Sequence, residues 1–398
     1  MSEEQFVAAM VLGGVGDAMG YKNGDWEFNF VGENIHKEVK ELGGVSKLKI
    51  KLPNFMVSDD TVLLLSTADS FITVGNKKLT ENSSYYLALY KEFCFRYHKD
   101  VLNDMSGRSA GLGTMSAIHK LSVHADKYGW HVPFNNRGGG CGAAMRAMAI
   151  GLRYPVIDDV ECFEHLVRTS VESGRMTHNH PTGFLGSFTT AFFGACAVSR
   201  IPMHKWGSLL VKSLPCVERY IEKVGRDVVE IKSNWSYFEE QWTKYLANRK
   251  MTNGDETPSF PAEYGVKERD VFYKSLSFSG WGGASGHDAP MIAYDALLAS
   301  GNDWEKLCLH GMLHGGDNDS SGVIAGFCYG AMYGMDSVPS NNHSKVEKRD
   351  RLVKCGKDLF QLATPYLEQV QSKKHDDFDF RFEEMLTKCF DEKSFIYP

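Results

Sequence analysis

The sequence contains no CxxC pair, no apolar run long enough to span a membrane, no excess of basic charge and few alternating valine- or threonine-rich stretches. Each absence excludes a class of protein. The nine cysteines (Cys94, Cys141, Cys162, Cys196, Cys216, Cys308, Cys328, Cys355, Cys389) stand singly, which points to reduced thiols in the cytosol and not to a disulfide framework. Gly322 to Met335, the longest apolar run on the carboxyl side, falls short of the roughly 18 residues of a membrane span. The start, MSEEQFVAAMVLGG, is acidic where a secretory signal is basic. A soluble, cytoplasmic protein without a membrane partner is expected. Lysine plus arginine number 44 against 50 acids, and the net charge of −6 argues against a nucleic-acid partner.

What is present is a chain of 398 residues, enough for a substantial core. No internal repeat or low-complexity linker appears. One domain over 1–365 and a charged tail over 366–398, loosely packed or mediating a contact, are expected, in a monomer. Apolar residues recur mostly at helical spacing. Ser2 with Gln5 reads as a capping box ahead of Phe6 to Leu12. Thr61 to Ile72, Tyr85 to Tyr97, Ala143 to Leu152, Thr189 to Val198, Trp206 to Leu214 and Met291 to Ala299 read as further helices. Lys47 to Leu52 is the one tempting strand, and Ser233 to Ser275 reads as an excursion from the bundle. The fold class is all-α, a compact multi-helix bundle.

Two acidic clusters stand at expected helix starts. In "VSDDTVLLL", Asp59 and Asp60 precede a leucine run with Ser58 as the N-cap. In "HGGDNDSSGVIAGFCYG", Asp317, Asp319, Ser320 and Ser321 lead into a helix that is apolar all round and hence buried. Acids in a first turn face the positive helix end, which is the bland explanation. If the two starts converge, Asp59, Asp60, Asp317 and Asp319 with Ser58 and Ser320 form an oxygen-rich set suited to one or two magnesium or manganese ions.

"NNRGGGCGAAMRAMAIGL" places Gly138, Gly139, Gly140 and Gly142 ahead of a helix, as either an anion cradle or a tight turn. "SFSGWGGASGHDAP" is a second glycine-rich loop, with Phe278 and Trp281 available for a ring to stack on. It lacks GxSxG, so Ser285, His287 and Asp288 do not read as a nucleophile triad. His178 and His180 in "GRMTHNHPTG" have no third nitrogen or sulfur ligand nearby for zinc. They suit a phosphate contact or a cap. Glu27, in "NGDWEFNF", is a surface acid or, in a partly apolar pocket, a general acid with a raised pKa.

In order along the chain, "GDAMGYKNGDWEF", "VSDDT", "GRSAG", "GGGCGAAMRAMAIGLR", "ESGRMTHNHPTGFLGS", "SGWGGASGHDAPMIAYDALLA" and "HGGDNDSSGVIAG" resemble the ADP-ribosylglycohydrolase family, and within it the ADP-ribosylarginine hydrolases. The likeness runs from about residue 6 to about residue 360. It implies an all-α domain with two Mg2+ (or Mn2+) ions. One would be held by Ser58, Asp59, Asp60 and Asp319, the other by Asp59, Asp317, Asp319 and Ser320. It implies that Gly138, Gly139 and Gly140 with His178, flanked by Thr177 and Asn179, contact a diphosphate. Gly107, Arg108 and Ser109, and Phe278, Ser279, Gly280 and Trp281, correspond to further contacts with ADP-ribose.

Asp59, Asp60 and Glu27 are the implied catalytic acids. The partners would be ADP-ribosylated proteins and ADP-ribose, with water cleaving the bond to an arginine side chain. Serine stands at 320 where the family often has threonine, which keeps a hydroxyl; alanine stands at 110 where proline is usual. Three other readings stay open: a catalytically silent ADP-ribose binder or structural member, a hydrolase of serine-linked ADP-ribose, and a nucleotide metallophosphatase.

Overall fold

The expected capping box opens the first helix, Glu3–Tyr21, of this computed structural model: the Ser2 amide donates to Gln5 Oε1 at 3.1 Å. The structure describes residues 1–77, 83–124, 128–371, 378–391 and 397. Among them there are helices and short turns but no strand, so the all-α expectation holds. None of these helices is long and apolar enough to cross a membrane.

The first helix carries four glycines, each costing about 1 kcal/mol relative to alanine in a helix interior. Close packing explains them. A Cβ at Gly16 would lie 2.0 Å from the Gly322 carbonyl oxygen, one at Gly20 2.4 Å from that of Asn318, and one at Gly326 2.2 Å from that of Leu12. These pairings run the helix Asn318–Tyr333 antiparallel to the first with the backbones nearly touching. Its amino end therefore lies beside Asp17 and Gly20. Both helices are buried on almost every side, as the sequence implied for the second.

Asp59–Gly75 extends the expected helix and begins at the same place, because the Ser58 and Thr61 amides bond to Asp17. Pro181–Val198 and Asp288–Ser300 complete the surroundings.

Three expectations are corrected. Lys47 to Leu52 is no strand: a 3-10 turn at Val45–Lys47 leads into irregular chain. Ala143 to Leu152 is not one helix but a 3-10 turn at Cys141–Ala143 followed, after a break, by Met148–Arg153. Within that break Arg146 turns its guanidinium back onto the Gly142 carbonyl at 2.7 Å and across to that of Ser173 at 2.7 Å. Ser233 to Ser275 is no mere excursion. It contains the helix Ser236–Arg249, whose Phe238, Trp242 and Tyr245 are buried, with Trp242 5.7 Å from Phe193 ring to ring.

The tail is also firmer than expected where it is described. The helix Arg349–Gln371 runs through position 365, and Phe378–Lys388 buries Phe382 and Met385. Tyr397 inserts its hydroxyl among Trp130 Nε1 at 3.1 Å, His131 Nε2 at 2.9 Å and Glu172 Oε2 at 2.8 Å. Residues 372–377, 392–396 and 398 lie outside the described residues.

Gly16→Ala drives a methyl into the Gly322 carbonyl and should destabilise the fold by about 3 kcal/mol, read from the denaturant midpoint. An unchanged midpoint would show that the two helices can part without cost.

Candidate active site

Three segments supply one cluster of acids. Asp17, wholly buried, accepts the Ser58 amide at 2.9 Å and the Thr61 amide at 3.0 Å, and the Thr61 hydroxyl donates to it as well. A carboxylate of one helix thus satisfies the open amides at the start of another. Ser58 is the N-cap, as expected, its Oγ accepting the Asp60 amide at 3.1 Å. Across the gap Asp317 occupies the cap position of Asn318–Tyr333, and Asp319 accepts the Ser320 amide at 3.0 Å. Ligand oxygens of Glu27, Asp317 and Asp319 all come within 4.8 Å of one another. The two helix starts converge, and their positive ends face the acids.

Burial raises the pKa of every carboxyl in this group. For all but Asp319 itself, the charge of Asp319 is the next cause. Asp17 is pushed up to about 7, Asp59 to about 8 and Glu27 to about 9; Asp60 and Asp317 are raised well above the usual range. Buried Arg146 works the other way on Asp59. Asp60 Oδ2 is buried with no hydrogen-bond partner among the described residues. Carboxylates and the hydroxyls of Ser58 and Ser320 make an all-oxygen set, so hard divalent cations such as Mg2+ or Mn2+ fit it. The thiol at hand, Cys141 Sγ, lies 3.4 Å from Asp317 Oδ2 and is held neutral by burial and Asp317.

The two glycine-rich loops, read separately in the sequence, are zipped together. The Cys141 amide donates to Ala284 at 3.2 Å and the Gly286 amide to Gly139 at 2.9 Å. Since no helix starts at Ala143, any anion cradle here must come from loop amides. His178 lies beneath: a Cβ at Gly140 would meet its Nε2 at 3.3 Å, and one at Gly142 its Cε1 at 2.7 Å. Thr177 Oγ1 is 2.7 Å from its Nδ1, while burial and Arg146 push its pKa down to about 3, leaving it neutral. His180 instead caps Pro181–Val198 by accepting the Thr182 amide at 3.2 Å.

The cleft has two lobes. An acid lobe of about 390 Å3 is lined by the Glu27, Asp59, Asp60, Asp317, Asp319 and Ser320 group, and by Ser109, Gly138, Gly140, Thr177, His178, Ser279 and Trp281. A second lobe of about 590 Å3 shares Arg137, Gly140, Ala284 and Ser285 with it and adds Gly139, His180, Tyr237 and Phe278.

The remaining expected residues line neither lobe. The Gly107 carbonyl accepts the Tyr21 hydroxyl at 2.7 Å, and Gly280 turns with φ +83°. The Arg108 side chain is committed to Asp104 at 2.9 Å and Glu347 at 2.7 Å, though its carbonyl accepts the Asp59 amide at 3.1 Å. Asn179 bonds to Asp227 at 2.7 Å and to the Val132 carbonyl at 2.8 Å. No triad forms: His287 Nε2 faces the Leu276 carbonyl at 2.9 Å, and Asp288 accepts the Ser285 amide at 2.8 Å.

Asp17 and Arg146 were not singled out in advance. Each carried a signal, a lone charge inside an apolar, glycine- or alanine-rich stretch.

Comparison with known proteins places this cleft in context. The family model for ADP-ribosylglycohydrolase matches residues 2–368. The ADP-ribosylhydrolase ARH1 of Dictyostelium discoideum is 37% identical over 380 residues, covering 90% of this chain and 94% of that protein. Among solved structures, an ADP-ribosylglycohydrolase-related protein complex superposes with a TM-score of 0.54 at 17% identity, over 91% of this chain and 98% of that one. At that identity the likeness speaks for the fold.

Raised carboxyl pKa values make the cation-free fold most stable when these groups are protonated. Their contribution is fully present near pH 4 and is lost as pH rises toward about 9, the value for Glu27, while buried histidines such as His178, held down to about 3 from 6.5, oppose it on the acid side. Without divalent cations, stability should therefore fall between about pH 7 and pH 9. Added Mg2+ should raise the thermal midpoint most at the alkaline end. A midpoint indifferent to Mg2+ across this range would contradict the cation fit.

Proposed function

This chain belongs to the ADP-ribosylglycohydrolase family, and we propose that it hydrolyses the N-glycosidic bond between ADP-ribose and an arginine side chain of a modified protein. The observation that carries the reading is the convergence of Asp59, Asp60, Asp317 and Asp319 in one cleft with the paired glycine loops. Ser58, Asp59, Asp60, Asp317, Asp319 and Ser320 are the residues that would hold two Mg2+ or Mn2+ ions. Such ions, when bound, supply charge stabilisation and orient the ribose hydroxyls and water.

The chain's own groups supply the rest. Among the described residues no acceptor engages the Gly139 or Gly140 amide, which leaves both for a diphosphate. Neutral His178 under the loop adds a polar contact without a competing charge. The second lobe takes the adenosine, so the distal ribose lies among the carboxylates. There the negative field favours the oxocarbenium-like charge that develops as the carbon–nitrogen bond breaks. Glu27, part-exposed at the rim, delivers a proton to the departing guanidine. Asp60, at the buried floor with its free Oδ2, would be ionised once bound cations offset its acidic neighbours, and accepts one from the attacking water, whose oxygen bonds to the anomeric carbon. The products are ADP-ribose and an unmodified arginine.

The purified protein should release ADP-ribose from an ADP-ribosylated arginine peptide in Mg2+ and not in chelator. Asp59→Ala and Asp60→Ala should each lose at least about 100-fold in turnover. Full activity in either variant contradicts the proposal. ADP-ribose bound but never released from a conjugate would make the cleft a reader's pocket, release from a serine conjugate alone would reassign the linkage, and inorganic phosphate as product would indicate a phosphatase.

A further inference from the structure

The wall beside the acid lobe carries three aromatic rings that no step above uses. Phe28, Phe30 and Trp281 are 37%, 46% and 50% exposed. The Trp281 ring lies 5.4 Å from each phenyl ring, and the phenyls are 6.3 Å apart. Single exposed aromatics are ordinary, but three clustered at a cleft mouth form a contact surface. Phe28 is also held in the left-handed region, at φ +55°, a costly conformation for a bulky residue. Its amide donates to the Gly316 carbonyl at 2.8 Å, which anchors it. Gly316 precedes Asp317 and Phe28 follows Glu27, so one backbone contact places both the acids and the ring.

The cleft has a direction. Carboxylates crowd one end, the larger lobe with Phe278 and Tyr237 forms the other, and the glycine loops lie between. An ADP-ribose laid along it as above presents its leaving group on the Phe28 side. Phe28 and Trp281 line the acid lobe while Phe30 is not among its lining residues, so the aromatic surface continues past the sugar.

We propose that Phe28, Phe30 and Trp281 form a platform for the arginine side chain of the modified protein and favour guanidine-linked over hydroxyl-linked substrates. The inference rests on the hydrolase reading above. A planar guanidinium stacks on aromatic faces, and the neighbouring carboxylates make this wall attractive to a cation. A serine side chain, short and uncharged, gains neither contact.

The test uses the full chain with Mg2+, an ADP-ribosylarginine peptide, a serine-linked peptide and free ADP-ribose. Phe30→Leu should raise KM for the arginine peptide about 3- to 30-fold, the loss of one cation–π contact, with kcat held within about twofold. Its affinity for free ADP-ribose, measured by calorimetry, and its KM for any serine-linked turnover should stay within about twofold of the unaltered protein. Phe30→Tyr, which keeps the ring, should restore KM. An unchanged KM in Phe30→Leu, or an equal loss of free ADP-ribose binding, overturns the platform and leaves the hydrolase reading intact. No release from the arginine peptide by the unaltered protein overturns the hydrolase reading, and the platform falls with it.

Discussion

The burial of five carboxyl groups against one another, with part-exposed Glu27 beside them, is the constraint around which this protein is arranged. Asp17, Glu27, Asp59, Asp60, Asp317 and Asp319 share one space, and their pKa values are raised there. Unpaired charges in such surroundings are strongly disfavoured, so the fold has to hold them together against that tendency. It does so with backbone. Two helix amino ends point at the cluster, Asp17 is fastened by the Ser58 and Thr61 amides, and the glycine contacts between Glu3–Tyr21 and Asn318–Tyr333 prevent the helices from separating.

The same economy shapes the cleft wall. Arg146 holds the Gly142 carbonyl, and the amides of Cys141 and Gly286 join the two glycine loops into one surface over His178. Behind this surface a chain of polar contacts runs from the Asn135 amide to the Asn179 carbonyl at 3.1 Å, from Asn179 to Arg175 at 3.0 Å, and on to Glu172 and Tyr397. The far end of the sequence thereby braces the loop that the proposed reaction uses. This bracing gives Tyr397 its place in the interior contacts.

Much of this was legible from sequence. Helical spacing and the Ser2 and Ser58 caps located most long helices, because capping and one-sided or all-round apolarity are local properties. The paired aspartates were legible as a candidate site once motif likeness joined two separate helix starts that carry the same oxygen-rich chemistry. What escaped depended on distant partners. Asp17 reads as any helical acid until Ser58 and Thr61 are seen against it, and the break near Arg146 follows from a carbonyl at Ser173. Motif likeness named Arg108 and Asn179, yet neither lines the cleft and their side chains serve Glu347 and Asp227. Phe238, Trp242 and Tyr245 did show helical spacing, masked by the charged residues between them.

The central claim is that the two acidic helix starts together form a divalent-cation centre at the cleavage end of the cleft. Crystals of the protein grown with Mn2+ and ADP-ribose, measured at the manganese absorption edge, test it directly. The account predicts anomalous density bounded by the oxygens of Asp59, Asp60, Asp317 and Asp319, with the distal ribose against it. ADP-ribose bound in the cleft with no anomalous density among those carboxylates would contradict it.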